Sequence, residues 1–99
     1  MAEYEVNCIN KPDRFSTHEH ITHIGFAGRW RMTRERAIRE IDAKQSAFFI
    51  VDKTTGNKVY IGVVKPEGNN PYLRTYADGK WNDNLLAQQE CANNCELVG

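Results

Sequence analysis

The sequence predicts an α+β domain: an antiparallel sheet of about five strands, one helix packed on one face, and a short C-terminal helical turn. Three observations predict it. One segment, MTRERAIREIDAK, has a helical period and helical caps. Three consecutive later segments, AFFIVD, KVYIGVV and YLRTYAD, are rich in β-branched and aromatic residues. Loops of about 3–6 residues containing Gly separate those three, a spacing that suits hairpins and an antiparallel meander. The helix and the sheet each carry an apolar stripe that needs a partner, so a helix-on-sheet layer follows.

The elements are justified in order. Glu3 to Asn10, EYEVNCIN, alternates Tyr4, Val6 and Cys8 against Glu5 and Asn7, which predicts one strand. Lys11-Pro12-Asp13-Arg14 reads as a turn, because proline fixes φ and donates no hydrogen bond. Gly25 to Gly28 reads as a connector. In the helix, Thr33 is placed to cap, Met32 and Ala37 to staple, and Ala37, Ile38 and Ile41 to form the buried stripe. Glu35–Arg39 and Arg36–Glu40 stand at i,i+4. Phe48 and Ile50 share one face of their strand and Phe49 and Val51 the other, so this strand is expected at the centre of the sheet. Asp78-Gly79 is a turn, and Trp81, Leu85 and Leu86 are expected to fold the chain end back over the core.

The 99 residues make one small domain, assigned to 1–91, with a frayed tail over 92–99. Apolar content of 40% exceeds that of a disordered chain. The 13 basic and 13 acidic residues cancel, which argues against a globally steered nucleic-acid or membrane binder. No apolar run approaches the roughly 20 residues that span a bilayer. Three cysteines are an odd number, so reduced thiols and a cytoplasmic setting are expected.

All three histidines fall within STHEHITHIG, Ser16 to Gly25. Ser16-Thr-His-Glu19 would cap a helix, but Ile21, Thr22 and Ile24 are β-branched and Gly25 follows after barely two turns. An extended segment is the preferred reading. It puts His18 and His20 on one side and His23 on the other, so that the first two converge with Cys8 on a neighbouring strand. Zn²⁺ takes such nitrogen and thiolate ligands, and a second thiolate would have to come from Cys91 or Cys95. The competing reading leaves His18 and His20 on a half-exposed face and puts His23 or Cys8 in the core. No geometry fixes a nucleophile against a base here, so no catalytic residue is assigned.

A second candidate site is cationic. Arg29, Arg31 and Arg34 crowd the start of the helix, the end that is itself partly positive. An anion bound there would offset the cost. Pairing with the acid-rich segment from Asp78 onward, or plain solvation, would also do so. Arg74 stands between Tyr72 and Tyr76 on one face of an extended segment, an arrangement that stacks bases, pairs with an anion or simply packs.

Five blocks stand in one order: CINKP, HEHITHIG, RWRMTRERAI, YLRTYADGKWNDNLL, and Glu90-Cys91. Together they resemble the small bacterial and phage family called domain of unknown function 3892, over roughly Tyr4 to Cys91. The family pattern usually ends in Leu-Pro-Glu-Cys, where this chain has Gln88-Gln89-Glu90-Cys91 and no proline. The resemblance implies that Cys8, His18, His23, Trp81 and Cys91 occupy motif positions, and it implies no activity. Cys95 falls outside the pattern, so the resemblance favours Cys91 as the fourth ligand beside Cys8, His18 and His20. The expected function is a non-enzymatic module that binds a protein or an anionic ligand. The alternatives are a nucleic-acid-associated accessory domain using the arginines, and a zinc-supported domain with Cys and His ligands.

Overall fold

The computed structural model describes residues 2–13, 15–92 and 94–98. Two five-stranded mixed sheets and one helix make up the fold, which corrects the single antiparallel sheet expected from sequence. The first sheet has the order β1 (Ala2–Glu5), β5 (Ser46–Val51), β6 (Lys58–Val64), β7 (Tyr72–Ala77), β8 (Lys80–Asn82). The second has the order β10 (Glu96–Val98), β4 (Trp30–Thr33), β3 (His23–Phe26), β2 (Cys8–Asn10), β9 (Gln89–Glu90). The helix, α1, spans Arg34–Asp42.

The expected N-terminal strand is broken in two. β1 runs parallel to β5, and β2 runs antiparallel to β3 in the other sheet. The chain changes sheets at Val6–Asn7. Val6 N–H donates to Phe49 O at 2.7 Å, and Asn7 N–H donates to Gly25 O at 2.9 Å. The Asn7 side chain accepts from Ala27 N–H at 2.7 Å, so the crossing leaves these backbone donors satisfied. Alternation in EYEVNCIN is continuous across the switch, which is why the sequence alone reads it as one strand.

The meander is as the loops indicate: β5, β6, β7 and β8 pair antiparallel in succession. Ala77 pairs with Lys80 across a two-residue turn in which Asp78 and Gly79 both have positive φ, 54° and 78°. That is the backbone a tight hairpin requires, and glycine with aspartate supplies it at low cost. β5 is an interior strand flanked by β1 and β6, but it lies second in its sheet and β6 takes the centre where β5 was expected.

Arg29-Trp30-Arg31-Met32 departs from expectation. Trp30–Thr33 is a strand, not a lead-in to the helix, and Thr33 then caps α1 by accepting from Arg36 N–H at 3.2 Å. Arg36 and Glu40 form their i,i+4 pair at 2.6 Å, while Glu35 pairs with Arg34. His18–His20 is a short 3-10 turn, and only His23–Phe26 is strand. The fully extended reading of residues 18–24 is therefore overturned. Thr17 Oγ1 donates to Glu19 at 2.8 Å, a local contact that favours the turn.

The C-terminal segment makes one turn, Ala87 N–H to Asp83 O, and no further helix. The chain then continues as β9 and β10, each parallel to its neighbour. The described part of residues 92–99 thus includes a paired strand where fraying was expected. Arg14, and the tail positions Asn93 and Gly99, lie outside the described residues.

A main core lies between the sheets, and a small separate cluster joins Cys8, Cys91 and Cys95. Phe48, Ile50, Val59, Ile61 and Leu73 from the first sheet meet Ile9, Ile24 and Met32 from the second. Ala37 and Ile38 of α1 close it, with Ile21 and Leu85 from the connections. Burying a side chain of this size contributes about 1.5–3 kcal/mol. Among the described residues no helix is long and apolar enough to cross a membrane.

Candidate functional site

The outer face of the first sheet carries a row of rings. Register places Phe49, Tyr60, Tyr76 and Trp81 side by side across β5, β6, β7 and β8. Their partners on the inner face, such as Ile61 and Leu73, are buried, so period-2 alternation drives these rings outward. Phe49 and Tyr60 have centroids 6.0 Å apart, and Tyr76 and Trp81 meet edge to face at 5.0 Å. Tyr60, Tyr76 and Trp81 remain 41%, 45% and 40% exposed, so the row is a surface and not a second core.

Gly62 explains why Trp81 lies flat. A Cβ at Gly62 would stand 3.1 Å from two atoms of the indole ring. The ring therefore covers the bare backbone of β6. Sequence had Trp81, Leu85 and Leu86 folding over the core; Leu85 is fully buried there and Leu86 packs against it, while Trp81 lies on the outer face. Thr75 fixes this corner. Its hydroxyl accepts from Leu85 N–H at 3.2 Å and bonds both the Asn82 side chain and Asn82 O.

Charges beside the row are paired internally. Lys58 Nζ stands 4.6 Å over the Phe49 ring and 3.3 Å from Glu3. Glu3 also accepts from the Tyr60 hydroxyl at 3.0 Å; that bond, ahead of Lys58, holds its carboxyl below the ordinary value. The same contact raises the Tyr60 phenol. Arg74 donates to Asp83 at 2.8 Å and to Asn82 O at 3.1 Å. A cavity of about 380 Å³ opens where the sheets meet, walled by Tyr4, Trp30, Phe48 and Val98. Those rings already pack on one another, Tyr4 stacked on Phe48 and edge-on to Trp30, whereas the outer row has no second layer among the described residues.

The four arginines assigned to an anion occupy separate elements. Arg29 lies in the β3–β4 turn, Arg31 on β4, Arg34 at the first position of α1, and Arg74 on β7 in the other sheet. Arg34 donates to Glu19 O at 2.9 Å and to Glu35 at 2.8 Å, so protein acceptors answer the charge at the helix start. Arg31 Nη1 is 3.4 Å from Asn10 Oδ1, and its buried Nε has no hydrogen-bond partner among the described residues.

Of the four assigned metal ligands, the structure brings Cys8 and Cys91 together and joins them in a disulfide. This corrects the expectation of reduced thiols for two of the three cysteines. Neither His18 nor His20 joins them. His18 Nε2 sits 3.2 Å from Asp83 Oδ1 without the alignment of a hydrogen bond. Burial, then Arg74, pushes its pKa below the ordinary imidazole value, with Asp83 opposing. His23 accepts or donates to Thr22 Oγ1 at 2.9 Å, and burial followed by Arg31 pushes its pKa down too. The third cysteine, Cys95, is buried, and all three sulfurs lie within 4.8 Å of one another. No spacing motif marks Cys95. Only the return of the chain end across the second sheet puts it there.

The family model described as "Protein of unknown function (DUF3892)" matches residues 5–87. The chain belongs to this family. Of the three cysteines, this DUF3892 match contains Cys8 and stops short of Cys91 and Cys95. It contains the whole aromatic row. No curated protein and no solved structure matches the chain.

Proposed function

We propose that this DUF3892 chain is a non-enzymatic protein-binding module whose contact surface is the outer face of its first sheet. The observation that carries the reading is the exposed row Tyr60–Tyr76–Trp81 on a sheet face with no second layer among the described residues. Tyr, Trp and Arg are the side chains that dominate the buried centre of protein interfaces. Rings locked by neighbours lose little entropy when covered. An acid-neutralised surface of this kind suits a flat, uncharged partner better than a polyanion.

A second copy of the same face meets that description and is the occupant we assign. Lys58–Glu3 and Arg74–Asp83 pair four charges of this face within one copy, and Glu5, in register with Phe49, stands at the β1 edge, so a two-fold partner centred on Tyr60 and Tyr76 brings no like charges together there. Four strands about 4.8 Å apart and about five residues long give roughly 300 Å² of flat face. That is below the roughly 800 Å² per partner of a standard stable interface, so association is weak. A Kd between about 10 μM and 1 mM follows, equivalent to about −7 to −4 kcal/mol.

Sedimentation velocity from about 10 μM to 1 mM tests it, since the range brackets that affinity. The weight-average coefficient rises with concentration in the wild type and stays flat in Trp81→Ala. A flat wild-type curve sinks the assignment. Quenching of tryptophan emission by single-stranded oligothymidylate, with no self-association, would transfer the face to nucleic acid and also overturn it.

A further inference from the structure

We infer that Cys8, Cys91 and Cys95 form, once the disulfide is reduced, a three-thiolate site for a thiophilic metal ion. Two different parts of the chain build it. Cys8 is on β2, and Cys91 and Cys95 lie on the segment that leaves β9 at one edge of the second sheet and reaches β10 at the other. That segment is a strap across the second sheet, turned where Cys95 N–H donates to Ala92 O at 3.2 Å. Cys91 N–H donates to Ile9 O at 2.9 Å, and Asn10 Nδ2 donates to Cys91 O at 3.1 Å. Glu96 N–H donates to Arg29 O at 3.1 Å. These bonds hold the strap in addition to the disulfide.

The sulfur geometry suits a metal. Zn²⁺ binds thiolate at about 2.3 Å, which sets neighbouring sulfurs about 3.8 Å apart in a tetrahedral site. All three Sγ atoms are already within 4.8 Å of one another, and each cysteine is at least 94% buried. Breaking the S–S bond lets Cys8 and Cys91 separate to that spacing. A reduced cluster without metal would leave three weak donors packed together in an apolar pocket. Cys95 Sγ has Phe26 O at 3.8 Å as its acceptor. Soft thiolates select Zn²⁺, Cd²⁺ or Cu⁺ over hard cations.

The charge is answered as well. Three thiolates around a divalent ion leave one net negative charge. Arg31 shares its register position with Gly25 and Cys8 across the sheet, and Gly25 has no side chain to obstruct it. Its guanidinium reaches Asn10, the residue that holds Cys91 O, and its buried Nε has no hydrogen-bond partner among the described residues.

The chemistry balances in two steps. A dithiol reductant gives two electrons and two protons to the Cys8–Cys91 bond and leaves as its own cyclic disulfide. The divalent ion then displaces one proton from each of the three thiols, releasing three protons in all. The disulfide state lacks two of the ligands and binds no ion, so redox state decides loading.

The test uses the full chain, reduced and exchanged anaerobically, with Cd²⁺ as the probe. One equivalent should give the sulfur-to-metal charge-transfer absorbance and protect all three cysteines from iodoacetamide, as read by intact mass. The oxidised chain should show neither effect, and Cys95→Ala should bind at least tenfold more weakly. Equal affinity in Cys95→Ala and wild type would overturn the site. So would alkylation of all three thiols at the same rate with and without Cd²⁺, a readout on the wild type that stands even where the variant does not fold.

Discussion

Reducing the Cys8–Cys91 disulfide is the perturbation whose size the structure fixes most directly. The bond closes a loop with a sequence separation of 83 residues. In the chain-entropy description, a cross-link of that span removes about 15 cal/mol/K from the unfolded ensemble, or about 4.5 kcal/mol at 25 °C. Measured disulfides more often give about 2–4 kcal/mol. For a domain of this size, 1 kcal/mol moves Tm by about 5 °C, so reduction should lower Tm by about 10–20 °C. The assay is urea and thermal unfolding of the same preparation with and without a dithiol, in chelator so that no metal stabilises the reduced form. Peptide mapping of the oxidised protein should show Cys8 linked to Cys91 and Cys95 free. A loss under about 1 kcal/mol would refute the reasoning, because the unfolded chain would then have little loop entropy to regain. Hydrogen exchange should place the largest local loss in β9 and β10, since the bond ties this end of the chain to β2.

Further outcomes follow from individual contacts. Thr75→Val removes the acceptor of Leu85 N–H and a partner of Asn82 in a buried corner, and should cost about 2 kcal/mol in urea unfolding. Gly62→Ala should displace the Trp81 ring, seen as a shift in its emission. The ring is partly exposed and can move, so stability should fall by under about 1 kcal/mol while self-association drops. His18 and His23 have folded pKa values below their unfolded ones, so the unfolded state binds more protons as pH falls. Stability should therefore be intact above the ordinary imidazole pKa and decline as pH drops from there towards the folded values; His18→Gln with His23→Gln should flatten that decline. Glu40, held down first by the Ser46 hydroxyl and then by Arg36, adds a separate loss at lower pH, as its carboxyl is protonated.

The sequence by itself determined what is local. Thr33 as helix cap, the Arg36–Glu40 pair, the Asp78-Gly79 hairpin and the successive pairing of β5, β6 and β7 all depend on neighbours within a few residues or on loop length. The family blocks from CINKP to YLRTYADGKWNDNLL were likewise legible. Tertiary structure alone decided that Val6–Asn7 changes sheets, that β9 and β10 complete the second sheet, and that the chain end carries Cys91 and Cys95 over Cys8. It also decided that Phe49, Tyr60, Tyr76 and Trp81 fall in one row, which needs the register of three strand pairs at once. The physical reason is the same in each case. Periodicity reports which side of a strand is buried, but not which sheet the strand joins. That choice rests on contacts between residues such as Cys8 and Cys91, 83 positions apart, which no local pattern encodes.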